Sequence, residues 1–98
     1  MNVQVSVDAE RDLSDGLAFY GKSGTRIGDH FRNSILADLQ SFSLLGGGHS
    51  KRFGYYCMAA KRFPYAVYYL CDGATVSVVA VLDERRDPTW IQHRLSRE

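Results

Sequence analysis

The stretch Phe63-Pro-Tyr-Ala-Val-Tyr-Tyr-Leu-Cys71-Asp72-Gly73-Ala-Thr-Val-Ser-Val-Val-Ala-Val-Leu-Asp83-Glu-Arg-Arg-Asp-Pro88 decides the fold. Two runs rich in Val and Tyr flank an Asp-Gly pair. Branched and aromatic side chains suit a pleated, half-buried surface. Asp-Gly between such runs signals a hairpin closed by a type I′ turn, in which both central residues need φ > 0. A turn centred on Asp72-Gly73 pairs Cys71 with Ala74, Tyr69 with Val76, Val67 with Val78 and Tyr65 with Ala80. Side chains alternate with period two along each strand. One face then carries Tyr65, Val67, Tyr69, Cys71, Val76, Val78, Ala80 and Leu82, is almost wholly apolar, and needs a cover. The other carries Arg62, Ala66, Tyr68, Leu70, Thr75, Ser77, Val79, Val81, Asp83 and, if the strand continues, Arg85. An antiparallel sheet commonly has one covered and one open face, so the mixed face, at its basic end, is expected to be the working surface.

Outward from the hairpin, the chain supplies that cover. Asn2 to Val7 alternates polar and Val residues, a first strand, and Asp8 is placed to cap the helix after it. Leu13, Leu17 and Tyr20 fall on one helical face, which Gly21 and Gly24 end. Ile27, Phe31, Ile35, Leu39 and Phe42 make a second helical stripe, with Leu36 and Leu45 beside it, stopped by Gly46-Gly47-Gly48. Phe53 to Ala60 reads as another strand, joined to the hairpin by a tight Lys61-Arg62 connection. Asp87-Pro88 opens a short C-terminal helix, with Asp at the cap and Pro where its missing N–H costs nothing. Ile91 and Leu95 form its apolar edge, and Trp90 is expected to dock on the sheet. The predicted order is strand, helix, helix, three strands and a short helix, with residues 1–98 forming a single α+β domain.

Composition bounds the function. The 98 residues carry 12 Lys and Arg against 11 Asp and Glu, a net charge of +1. Dedicated nucleic-acid binders are usually more basic, because phosphate neutralisation supplies most non-specific affinity. No apolar run approaches the ~20 residues of a membrane helix, and Met1 to Asp12 is too polar for a secretory signal, so a cytoplasmic location without membrane contact is expected. The 2 cysteines, Cys57 and Cys71, read as buried or half-buried thiols in strands, with a cross-strand disulfide as the alternative. Without a spaced His pair they make no zinc site, and no metal or cofactor is expected.

Gly16 to Ser23 matches the phosphate-loop pattern G-x-x-x-x-G-K-[ST] letter for letter. That motif needs a strand before it and a loop with free backbone N–H groups; here its middle residues are large, apolar and part of a helix face. The 3 histidines, His30, His49 and His93, lack ligand spacing with one another. The remaining constellation is cationic: Arg62, Arg85 and Arg86, with Lys51, Arg52 and Lys61 near them. Arg62 is expected to lie near Asp83 across the hairpin. The cluster reads either as a solvated strand end with one weak ion pair or as a docking surface for anions or protein.

The element order, the run Phe63 to Tyr69, the strand Val78 to Leu82, the closing Arg85-Arg86-Asp87-Pro88, the opening Val5 to Leu13 and Phe19-Tyr20 together resemble the RelE/ParE superfamily of bacterial toxins, over nearly the whole chain. The resemblance implies a β-α-α-β-β-β toxin, with a mostly antiparallel curved sheet, a helical hairpin on one face and a short C-terminal helix. It implies the toxin part of a type II toxin-antitoxin module, of the kind tied to plasmid stabilisation and growth inhibition. A cognate antitoxin then neutralises it through a segment that folds on binding, and homodimers or toxin-antitoxin hetero-oligomers are implied assemblies. RelE-like members cut mRNA on the ribosome with basic residues and often a C-terminal Tyr; ParE-like members poison DNA gyrase. Arg85 matches the family's arginine at the end of the last strand. The mid-sheet arginine of the nucleases falls near Pro64 or Tyr65 here, with Arg62 the closest basic residue, and Trp90, Ile91 and His93 stand where the C-terminal Tyr would be. The resemblance therefore favours a ParE-like toxin without catalysis, with Arg62, Tyr68, Arg85 and Arg86 as target-binding candidates. The alternative is a ribosome-dependent endoribonuclease using Arg85, Arg62 and His93; a second is a non-toxic α+β binding module.

Overall fold

The computed structural model describes residues 2–42 and 46–98. Its strands are β1 (Asn2–Val5), β2 (Lys51–Arg52), β3 (Tyr55–Ala59), β4 (Tyr65–Asp72) and β5 (Thr75–Asp83), and its helices α1 (Val7–Gly21), α2 (Thr25–Gln40) and α3 (Pro88–Leu95). One mixed sheet runs β1-β5-β4-β3-β2. β1 lies parallel to β5, and the other neighbours are antiparallel. This is the expected α+β arrangement, with β2 added. Among the described residues no helix is long and apolar enough to cross a membrane.

The hairpin forms, but its register differs from the expected one by two residues. Asp72 pairs with Thr75, Cys71 with Val76 and Tyr69 with Val78. Asp72 stays in the strand, and the turn centres on Gly73 and Ala74. Gly73 has φ 57°, and Ala74 is not among the positive-φ residues. A type I′ turn would put two residues at positive φ; a II′ turn needs it only at the first, where Gly tolerates it. The turn chemistry therefore places the glycine first and moves every pair along.

A second departure lies at Val79. Tyr69 pairs with Val78 and Tyr68 with Ala80, so Val79 is an extra residue in β5. A bulge of this kind reverses the alternation beyond it. Val81 turns to the α1–α2 side, while Ala80 and Leu82, expected there, face the other way. The bulge sits where the chain leaves β1: the Ser6 N–H donates to the Val78 carbonyl (3.0 Å), and its hydroxyl to the Val79 carbonyl (3.3 Å). Ser6, not Asp8, caps α1, its Oγ accepting from the Ala9 N–H at 3.0 Å. Val7 consequently belongs to the helix and is exposed.

The helical hairpin covers the expected face. Phe31, Ile35, Leu39 and Phe42 meet Tyr65, Val67, Tyr69, Val76, Val78 and Val81 in the main core. Full burial of each large side chain stabilises by about 1.5–3 kcal/mol. Ile27 and Leu36, from the same predicted stripe, are exposed at its margin. α2 ends at Gln40 with Ser41 as its C-cap, earlier than the glycine run; Leu45 lies outside the described residues. Of the phosphate-loop letters, Gly16 to Gly21 fall inside α1 and Lys22 is its C-cap. Gly16 is there for packing, since a Cβ on it would stand 2.5 Å from the Phe31 ring.

The opposite face is not open. α3 lies across it, and Ile91 and Leu95 bury Ala66, Tyr68, Ala80 and Leu82 in a second core. Asp87 caps α3 as expected, accepting from the Thr89 N–H at 2.7 Å, with Pro88 in its first turn. Trp90 joins neither core and is 40% exposed. Cys57 and Cys71 are half-buried free thiols.

Candidate functional site

The basic end of the hairpin is held together differently from the sequence expectation. Tyr65 pairs with Asp83, so Arg62, just before β4, and Arg85, just after β5, mark the same end of the sheet. Asp83 is bound by Arg85, not Arg62. The Arg85 N–H, Nε and Nη2 donate to the carboxylate at 2.9, 3.0 and 2.7 Å. The turn after β5 brings Arg85 back onto Asp83 two residues away, a local closure that Arg62 cannot match. Arg62 is exposed and forms no ion pair among the described residues. Hydrogen bonds from Arg85 hold the Asp83 carboxyl below its ordinary range, and the same bonds raise Arg85. Beside them, burial and the Asp83 charge push the Tyr65 phenol up to about 12. Arg86 follows a different course: its guanidinium lies 4.1 Å over the Trp90 ring, a cation–π contact.

Tyr68, the fourth target-binding candidate, is wholly buried under α3 and presents nothing to a partner. Its position on the face that was expected to be open is the reason. Its hydroxyl instead closes a polar network. Arg52 Nη1 donates to the Tyr68 oxygen (3.1 Å) and to Glu84 Oε1 (2.6 Å), while the Tyr68 hydroxyl donates to Glu84 Oε2 (2.9 Å). Burial, then the hydrogen bond to Glu84, drives the phenol far above its ordinary range, and burial also raises the Cys57 thiol. Arg52 was named from the sequence only as a neighbour of the cationic cluster, and Glu84 was not singled out. They are 32 positions apart and meet over Tyr68 of β4, although β3 and β4 separate β2 from β5 in the sheet; the cation before the Phe53-Gly54 turn was the available hint.

The three residues of the nuclease alternative are not assembled. His93 is exposed on α3, Arg85 is tied to Asp83, and among the described residues no hydrogen bond or ring contact joins either of them to the other or to Arg62. His49 serves the core margin: its Nδ1 lies 2.5 Å from the Tyr69 hydroxyl, which also accepts from the Gly47 N–H at 3.0 Å.

A concavity of about 680 Å³ lies between α1 and α3, with the end of β5 as its floor. Asp12 and Arg94 cross it. Asp12 Oδ2 accepts from Arg94 Nη2 at 2.9 Å and from the Val81 N–H at 3.0 Å. Arg94 is only 7% exposed, and its Nη1 is buried without an acceptor. Burial raises the Asp12 carboxyl, against the lowering by Val81 and Arg94. Phe19, Lys22, Arg86 and Trp90 stand along its walls.

No family model matches the sequence, and no curated protein matches it. Among solved structures the chain is similar to one described as "Chromosomal ParDE TA system from P. aeruginosa", with TM-score 0.73 and 14% identity, covering 83% of this chain and 92% of the other. At that identity the likeness is one of fold alone: the chain shares the fold of a chain in that ParDE structure.

Proposed function

We propose that this chain is the toxin of a type II toxin-antitoxin module, ParE-like in action. A cognate antitoxin neutralises it, and in the cytoplasm it acts by binding a cellular target such as DNA gyrase, without chemistry of its own. The observation that carries the reading is the ParE-like fold, similar across 83% of the chain to a structure of a ParDE system. The placement of the cations supports it further. Arg62 and Arg85 are exposed at one end of the sheet with Arg86 close in sequence, a surface suited to docking. Proton transfer needs groups within hydrogen-bond reach of the reacting atoms, and among the described residues no hydrogen bond or ring contact links Arg62, Arg85 and His93 to one another, which favours the reading without catalysis.

Induced expression in a bacterial host tests the reading. Growth arrest with filamentation and DNA damage, relieved by co-expressing the neighbouring gene product, is the expected outcome. Cleavage of mRNA in a translating extract would replace it with the ribosome-dependent nuclease. Unaffected growth would leave an α+β binding module without toxicity.

A further inference from the structure

We infer that the segment from Gly46 to Ser50, which leads into β2, is held by a proton-sensitive latch: the Tyr69 hydroxyl donates to a neutral His49, and protonation of that imidazole releases the segment and the β2 edge with it. The inference goes beyond the toxin reading and does not depend on it.

The segment has few side chains to hold it. Main-chain bonds fix its ends, the Gly46 N–H donating to the Phe42 carbonyl (3.1 Å) and the Cys57 N–H to the Ser50 carbonyl (2.9 Å). Between them, Gly46-Gly47-Gly48 offers nothing to pack, and glycine loses more conformational freedom on ordering than any other residue. Gly47 takes φ 83°, open to glycine without strain. The fully buried Tyr69 supplies the anchor. Its oxygen accepts from the Gly47 N–H at 3.0 Å and lies 2.5 Å from His49 Nδ1. The Phe42 and Tyr69 rings stand edge-on to the imidazole, with centroids at 6.2 and 5.7 Å.

The roles follow from counting protons. The Gly47 N–H can only donate, so the phenol oxygen accepts there. Burial raises the Tyr69 phenol, against the lowering by backbone hydrogen bonds, so it keeps its proton. That proton needs an acceptor, and an unprotonated Nδ1 is one, which puts the imidazole proton on Nε2. Protonation turns Nδ1 into a second donor aimed at the same oxygen. The phenol proton then loses its acceptor at a buried site. No counter-ion offsets this, since His49 forms no ion pair among the described residues. The titratable groups around it are Tyr69 and, beside Gly47, Cys71 of β4, then Tyr56 of β3 stacked on Tyr69, with the Lys51 cation over the Tyr56 ring. The closed segment therefore requires a neutral His49, and opening takes up one proton. The latch is closed at high pH and lost as pH falls through the range, about pH 5 to 8, in which histidine changes charge. Its loss reaches the sheet because β2, only Lys51–Arg52, begins two residues beyond His49 and is the edge strand.

Hydrogen exchange of the Gly47 amide and of the β2 amides, followed by NMR from pH 5 to 8 and corrected for intrinsic exchange, tests the latch. Uptake of one proton shifts an opening equilibrium by up to about tenfold per pH unit, so protection should fall by at least about tenfold across this range. His49→Gln supplies an acceptor that does not titrate, and its protection should stay level. Tyr69→Phe should leave the Gly47 amide unprotected at every pH. His30 and His93 are exposed and kept in both variants, so their titration is common to all three chains. Thermal unfolding confirms that the variants fold, and if Tyr69→Phe does not, the comparison with His49→Gln decides. Level protection in the unsubstituted chain overturns the inference, as does an acid-induced loss that persists in His49→Gln.

Discussion

Asp12 shows how one side chain can hold three elements and still titrate against the fold. It stands on α1, receives the Val81 N–H of β5 and pairs with Arg94 of α3. Removing one partner of a buried pair leaves the other uncompensated, which costs more than the pair contributes. We expect Asp12→Ala to lose about 3 kcal/mol, read as a shift in the urea midpoint, and the double replacement Asp12→Leu, Arg94→Met, which leaves no uncompensated charge, to lose much less. Burial raises the Asp12 pKa, so just above the ordinary carboxyl value of 3.8 the folded chain binds more protons there than the unfolded one. Stability from this site therefore falls as pH rises through that window and is level above it. The stability difference between the unsubstituted chain and Asp12→Asn, followed from pH 3 to 7 by denaturant titration, should change only there. Asp83 works in the opposite sense, its stabilisation present above the unfolded pKa and lost as pH falls through the lowered folded one. Arg85 is 58% exposed, so this share is small. Gly16 sets helix propensity against packing. Ala would favour α1 by about 1 kcal/mol, but its Cβ would meet the fully buried Phe31 ring at 2.5 Å. Overpacking costs about 1–3 kcal/mol, and we expect Gly16→Ala to lower Tm.

At the scale of elements, the hairpin separates what residue patterns reveal from what they hide. Period-two alternation correctly put Tyr65, Val67, Tyr69, Val76 and Val78 beneath the helices, because a shift of two residues leaves each side chain on its face. It could not place Ala80, Val81 and Leu82. The bulge at Val79 leaves no mark in a run of Val, Ala and Leu, all equally suited to either face. The Asp87-Pro88 cap of α3 was legible because its signal is local chemistry; the face that α3 covers was not, because Ile91 and Leu95 would suit any apolar surface. The same limit explains the candidate site. Arg85 and Arg86 stood out as cations, while their partners Asp83 and Trp90 depended on where a turn and a helix pointed. The turn itself can be tested by substitution. Only Gly73 has positive φ there, so Gly73→Ala should cost roughly 1 kcal/mol and Asp72→Ala less than about 0.5 kcal/mol, both measured by thermal unfolding. Equal losses at the two positions would restore the Asp72-Gly73 turn.

For the molecule as a whole, two layers of helix on one sheet leave docking surfaces at the ends and edges rather than on a face. The α1–α2 hairpin takes one side and α3 the other, so the docking surface proposed for the target is the Arg62–Arg85 end of the sheet. Arg85 separates activity from folding in that arrangement. Its contact with Asp83 is short, at 2.7 Å, yet joins residues only two positions apart on an exposed turn. Exposed pairs of this kind contribute about 0–1 kcal/mol, and replacing one member disturbs neither core. Arg85→Ala should therefore unfold within a few degrees of the unsubstituted chain. If the basic end is where the target docks, the same substitution abolishes growth arrest on induction. Arg62→Ala should weaken the arrest as well, because Arg62 marks the same end of the sheet without any ion pair to lose. Retained arrest in the double Arg62→Ala, Arg85→Ala variant, with its thermal unfolding unchanged, would move target recognition away from this end of the sheet.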